Sequence, residues 1–353
     1  MSAPRRMPST PAAPASEARL QQIRREAETH GRVDSTGIRP SGAPFLQASP
    51  ENGYYGLPVL KAPQWTWEIP VYFFVGGAAG ASAVIAGVAN LTGADRELVR
   101  DARWLAAIGG AISPALLVGD LGMPSRFLNM LRVFKIQSPM SVGSWTLVTF
   151  STTSAMAAFA NAVERRDARR NGWRRKPGFI SNAAGMLAAL SGMVLATYTG
   201  VLIGATAIPV WSESVATLPI HFAASGLGAA ASILELCGHD TSRSLNILGI
   251  GSALCETAIG ARIETSQTPA LKPLKSGRTG MLTRLGGLLS GPLPLALRLI
   301  AAFSTRERSR KLRRAAAVST IAGSLLTREA WIKAGAVSAN DPRIPLQLPP
   351  AQL

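Results

Sequence analysis

The chain alternates long apolar runs with short polar connectors. The runs lie at about Ile69 to Leu91, Arg103 to Gly119, Ser141 to Val163, Phe179 to Gly204, Val215 to Cys237, Leu245 to Ile263, Met281 to Phe303 and Ala315 to Ala336. Each is close to the length that crosses a bilayer. In lipid such runs must be helices, because a lone strand leaves its backbone groups unsatisfied. The pattern predicts an all-α integral membrane protein with about eight transmembrane helices. The seventh run contains Arg284, Pro292, Pro294 and Arg298 and is expected to be broken or tilted; Arg328 and Glu329 interrupt the eighth. Gly76, Gly80 and Gly87 in the first run favour close approach of neighbouring helices.

One connector stands apart. Gly119 to Lys135, running on through Ser138-Pro139-Met140-Ser141-Val142-Gly143-Ser144-Trp145, begins with an acid and carries prolines, cations and aromatics. Phe127, Leu128, Leu131 and Phe134 fall near helical spacing, with Arg126, Arg132 and Lys135 between them. The spacing predicts a short amphipathic helix on the membrane surface, covering a site and offering a landing place to a partner.

Composition sharpens this picture. Of 353 residues, 47% are hydrophobic and 16% charged, against about 25% charged in soluble domains. The formal net charge of +17 raises the question of nucleic acid. The cations, however, sit in short runs between apolar segments, the pattern of a positive-inside membrane protein. Nucleic acid is therefore not an expected partner. Cys237 and Cys255 are the two cysteines, too few for an iron–sulfur cluster, which needs about four thiolates. Residues 1–52, rich in Pro, Ala, Ser and Arg, read as a disordered tail without the apolar core of a signal peptide. Residues 53–343 form the expected membrane domain and 344–353 a short tail. The loop holding Arg165, Arg166, Arg169, Arg170, Arg174, Arg175 and Lys176, and the basic run Arg306 to Arg314, are expected in the cytoplasm. Both termini then lie outside it.

Polar residues within apolar runs are costly and point to chemistry or pairing. Glu68 and Asp120 end their runs on one expected side, as interfacial acids or as proton carriers. Tyr198 lies deep in the fourth run beside Gly200. Its hydroxyl either bonds a neighbouring carbonyl or donates to a bound lipid-soluble molecule. His221, Glu235, Glu256 and Arg328 suit structural pairing or a proton route. On these residues alone, a transporter or proton pathway and a passive anchor for other subunits are alternatives to a redox role.

The segments Trp65-Thr66-Trp67-Glu68-Ile69-Pro70, Phe73 to Gly77, Asp120 to Met130, Ser138 to Trp145, Tyr198 to Leu202 and Gly323 to Arg328 together resemble the NrfD/PsrC family, the membrane subunits of polysulfide reductase. The resemblance covers roughly residues 53 to 343. It implies two four-helix bundles and a quinone site near the outer face, with menaquinone or ubiquinone as substrate and no covalently bound cofactor. It also implies an iron–sulfur subunit docked there and a molybdopterin catalytic subunit beyond. By resemblance Tyr198 matches the tyrosine at the quinone headgroup, with Asp120 nearby. Tyr72 stands where a family member has a quinone-contacting histidine; a phenol still donates a hydrogen bond but does not titrate near neutral pH.

Overall fold

The structure, a computed structural model, describes residues 21, 22, 25, 60–121, 125–171 and 178–341. The chain divides into two units, Met1–Ala62 together with Ala339–Leu353, and Pro63–Ser338. Of the first, Gln21, Gln22 and Arg25 are helical. Most of the expected terminal tails lies outside the described residues.

The second unit is helical. Its elements are α1 (Glu68–Leu91), α2 (Arg96–Asp120), α3 (Ser125–Met130), α4 (Pro139–Asn171), α5 (Phe179–Gly204), α6 (Pro209–Ser212), α7 (Leu218–Leu234), α8 (Arg243–Thr265), α9 (Gly277–Ser290), α10 (Pro292–Ala302) and α11 (Arg306–Asn340). A π-helical turn, Glu235–His239, prolongs α7, and Gly238 leaves it at φ 112°. No strand occurs among the described residues.

Among the described residues, six stretches are long and apolar enough to cross a membrane: α1, α2, α5, α7 with its π turn, α8, and α9 with α10. The seventh expected run is indeed broken, at Gly291, where Pro292 starts a new helix. The third and eighth runs lie within α4 and α11, of 33 and 35 residues, and both helices outrun the apolar pattern. α4 is diluted by hydroxyls that bond back to their own helix, Thr152 Oγ1 to the Val148 carbonyl at 2.9 Å and Thr153 Oγ1 to that of Thr149 at 2.7 Å. α11 carries Arg328, Glu329 and Lys333 in its second half.

α1 is the hub, packing on α2, α5 and α7; α4 packs on α2 and α5. α7 packs on α8, which packs on α9 and α10. α11 joins α9 and α7, with Ser319 Oγ on the Leu289 carbonyl and Ser324 Oγ on Ser225 Oγ, both at 2.7 Å. Where α1 crosses α5, a Cβ on Gly80 would lie 2.5 Å from the Gly192 carbonyl oxygen, and one on Gly192 2.6 Å from that of Gly80. Only glycine lets the two backbones meet so closely. The outward surface is apolar: Leu187, Leu190, Met193 on α5 and Ile247, Leu254 on α8 are exposed. So large an apolar surface belongs against lipid, not water.

The connector between α2 and α4 departs from expectation. Its helix stops at Met130, so Leu131 and Phe134 are not on it. Six residues are too few to sustain a helix unaided. Instead the Ser141 hydroxyl accepts from the Lys135 N–H at 3.0 Å and donates to the Val133 carbonyl at 3.2 Å, tying the chain to the start of α4. Phe134 leans edge-on against Trp145, with ring centroids 6.3 Å apart.

The crossing gives a first prediction. Gly80→Val should lower stability by about 1–3 kcal/mol, the usual range for overpacking, read as a lower Tm of the detergent-solubilised protein. A Gly251→Val control, at a glycine with open space around it, should change Tm little.

Candidate functional site

Polar groups gather at the end of the bundle where α1 begins. The Thr66 backbone N–H and hydroxyl both donate to Asp120 Oδ1, at 3.3 and 2.8 Å, closing the start of α1 onto the end of α2. The same hydroxyl contacts the Glu68 carboxylate. One hydroxyl proton serves one carboxylate at a time, so the two acids compete for a single donor. One helical turn after Glu68, on the same face, lies Tyr72.

Tyr72 is 2% exposed and close enough to Tyr198 for the two phenols to interact. The tip of the Tyr198 ring lies against α4: a Cβ on Gly143 would meet its ring Cζ at 1.8 Å and its hydroxyl oxygen at 2.1 Å. Gly143 in the Ser138–Trp145 motif is thus the negative image of a tyrosine ring. The Tyr198 hydroxyl has no hydrogen-bond partner among the described residues, and neither does that of Tyr72. Ser113 Oγ, facing Gly76 of α1, is buried and also unpartnered. α1, α2 and α5 therefore bring three uncommitted donors together in an apolar setting, beside Gly143 of α4. Such groups are costly unless a ligand or water satisfies them.

A second polar group lies between α7, α8, α9 and α11. The Trp331 indole N–H points at His221 Nδ1, at 3.3 Å. An indole only donates, so Nδ1 accepts and the ring proton sits on Nε2. His221 Nε2 then donates to Glu256 Oε2 at 3.0 Å, and Ser290 Oγ donates to the same oxygen at 2.9 Å. Arg328, fully buried, donates to Ser225 Oγ (2.8 Å), Ser324 Oγ (2.7 Å) and the Phe222 carbonyl (3.2 Å). Its guanidinium lies 5.2 Å from the Phe222 ring centroid and 6.0 Å from that of Phe74.

Glu235 stands apart from these three, ten residues beyond Ser225 along α7 and its π turn, about 15 Å by helical rise. Arg298 grips it in a fork, 2.9 and 2.7 Å, and Arg313 adds a third bond at 2.7 Å. Gly249 clears space for the Arg298 guanidinium. Beyond the π turn, Asp240 accepts from Arg310 at 2.5 Å and Arg314 at 3.1 Å.

The structure thus joins Glu68 to Asp120 and Tyr72 to Tyr198 at one end, and groups His221 with Glu256 deeper in. Arg284 pairs with Glu264 at the surface, at 2.8 Å, not with a buried acid. Arg132 and Lys135 are exposed; the Arg126 side chain lies outside the described residues. Thr66, Ser113 and Gly143 join the site without being marked by the sequence pattern, which also does not reveal the partners of Glu235. A charge such as Arg298 inside an apolar run was the available signal, since it must find a partner.

Fold and site together define a multi-pass helical membrane protein with a cluster of polar groups at one end of its bundle. The family model NrfD_2, described as polysulfide reductase, matches residues 51–340, and the chain belongs to that family. A search of curated proteins finds no relative of this chain.

Two predictions follow from the charges. Glu235→Ala leaves Arg298 buried without a counter-charge and should cost about 3–5 kcal/mol, measured as loss of Tm or of folded yield in detergent. For Asp240, burial alone would raise the carboxyl, but Arg310 and Arg314 outweigh it and hold it below its ordinary range. A depressed folded value means that the stabilisation is present above the unfolded value of about 3.9 and is lost as pH falls through the folded one. Asp240→Asn should therefore be less stable than the parent at pH about 6, with the gap closing below pH about 4. Added salt should narrow the gap, since both arginines are half exposed.

Proposed function

We propose that this chain is the quinone-reactive membrane subunit of a multi-subunit oxidoreductase. In this reading it passes electrons between the membrane quinone pool, menaquinone or ubiquinone, and an iron–sulfur partner, with a molybdopterin catalytic subunit beyond. Family membership supports the class. The observation that carries the site is the uncommitted Tyr198 hydroxyl, its ring seated on Gly143 in a buried, apolar setting.

Oxidation of a quinol releases two electrons and two protons. The electrons go to the partner's cluster; the chain's own residues bind, orient and handle protons. Tyr198 donates a hydrogen bond to a quinone carbonyl oxygen, and Tyr72 and Ser113 are further donors at the same end. Asp120 and Glu68, sharing Thr66, exchange protons with water at the bundle surface. Arg132 and Lys135, with Arg126, face acidic patches on the partner, which steers docking more than it tightens it. His221, Glu256 and Arg328, with Glu235 further along, are the groups a proton route would use.

In this reading α4 and α11 also span, giving eight spans in two four-helix bundles. The protein sits in the plasma membrane with its basic loops in the cytoplasm and both termini outside. Two other readings have distinct outcomes. The break at Gly291 is the feature that favours a transporter, because broken helices often line solute sites; uptake of a labelled solute by the lone chain in liposomes would support that. Failure of a quinone analogue to bind the purified complex would leave a passive anchor.

Tyr198→Phe in the assembled complex should lower quinone-dependent turnover about tenfold, the worth of one hydrogen bond. Tm should hold, because the hydroxyl has no partner within the protein to lose. Unchanged turnover would sink the assignment.

A further inference from the structure

At the opposite end from Tyr198, the start of α8, the end of α10 and the start of α11 enclose a cleft of about 420 Å³. Small-molecule sites commonly measure about 300–1,000 Å³. The cleft is lined by four arginines, Arg243, Arg298, Arg306 and Arg313, with Asn246 and Ser309 among the neutral polar groups. The carboxylate of Glu235 lies behind them and is already filled by Arg298 and Arg313. Arg243 and Arg306 pair with no carboxylate among the described residues. Of the other acids at this end, Asp240 is taken by Arg310 and Arg314, and the exposed Glu307 pairs with Lys311. Four guanidiniums against one carboxylate leave the cleft strongly positive. The Nε of Arg298 and that of Arg313 are buried and lack acceptors, and Arg298 itself is 1% exposed.

The surroundings say what kind of anion fits. The cleft sits where the membrane-crossing stretches Arg243–Thr265 and Gly277–Ala302 end, the level of lipid headgroups. Beside it, on the same elements, Ile247, Leu299 and Ile300 are exposed, and Phe303 just beyond α10 is 93% exposed. A soluble anion would find the arginines but would leave this apolar flank bare. A lipid satisfies both: its phosphodiester takes the forked guanidinium donors, and its acyl chains lie along Ile247, Ile300 and Phe303.

The geometry points to a specific binding site for the headgroup of an anionic phospholipid, in the leaflet at the Asp240 end of the bundle. Basic pockets between membrane helices bind such headgroups through these forces. The lipid bridges α8, α10 and α11 at the end of α10 that lies away from its break at Gly291.

Native mass spectrometry of the full chain in detergent, with lipid added, tests this directly. Dioleoyl-phosphatidylglycerol should be retained, and dioleoyl-phosphatidylcholine should not. Arg243→Gln with Arg306→Gln, both at exposed positions, should weaken retention about thirtyfold. A control pair of equal charge change, Arg278→Gln with Arg308→Gln, exposed and outside the cleft, should retain the lipid like the parent. Equal retention of both lipids, equal loss in both double variants, or no loss in the cleft variant would overturn the proposal. Displacement of the lipid by millimolar inorganic phosphate would show a free-anion site and overturn it as well. Lipid retention at this cleft and quinone turnover at Tyr198 are separate readouts, so either can fail while the other holds.

Discussion

A guanidinium surrounded by hydrocarbon must find its acceptors inside the protein, and the second half of this chain is arranged around that demand. Arg328 is sheathed by serine hydroxyls, backbone carbonyls and two aromatic rings. Arg298 is met by Glu235 and Asn246. These arrangements fix the rotation of α7, α10 and α11 about their own axes, because a turned helix would strand a charge in lipid. The net worth of such pairs in kilocalories is small, since desolvation cancels much of the attraction. Their value is in making one packing far better than its neighbours.

The first half works by a different rule. There, α1, α2, α4 and α5 meet through glycine, alanine and serine, and the backbones come close enough for dispersion to hold them. Small side chains also leave gaps shaped by their absence. Gly143 receives the Tyr198 ring in this way, and the hydroxyl at the ring's tip is left uncommitted in a place where water is scarce. The division of labour is therefore chemical: charged pairs stiffen one set of helices, while the other keeps open donors available at its end.

Most of the fold was legible in the pattern of apolar runs, because lipid permits one secondary structure and sets its length. The fourth run matched α5 end to end, and the prolines of the seventh marked its break. What the pattern hid were parts governed by water. α4 and α11 continue as helices into Glu164 to Arg170 and Arg306 to Arg314, good helix formers that a hydropathy window discards. The spacing of Phe134 predicts a longer connector helix than the one that forms, because the Ser141 hydroxyl of α4 takes the Lys135 N–H and the Val133 carbonyl. Tyr198 and Asp120 stood out as single polar residues at or within apolar runs. Thr66 did not, since a lone hydroxyl before a helix carries no pattern. The grip on Glu235 joins residues 63 and 78 positions apart, and one sequence has no means of pairing them.

The wiring of His221 has a consequence for any ion that moves through this part of the bundle. Both ring nitrogens are engaged, one by the Trp331 indole and one by Glu256, so the imidazole has neither a free lone pair to catch a proton nor a spare N–H to hand one on. Glu256, by contrast, keeps Oε1 buried and unclaimed among the described residues. Traffic here would have to board at that single oxygen, with the histidine acting as a fixed post that aims the carboxylate and not as a stepping stone.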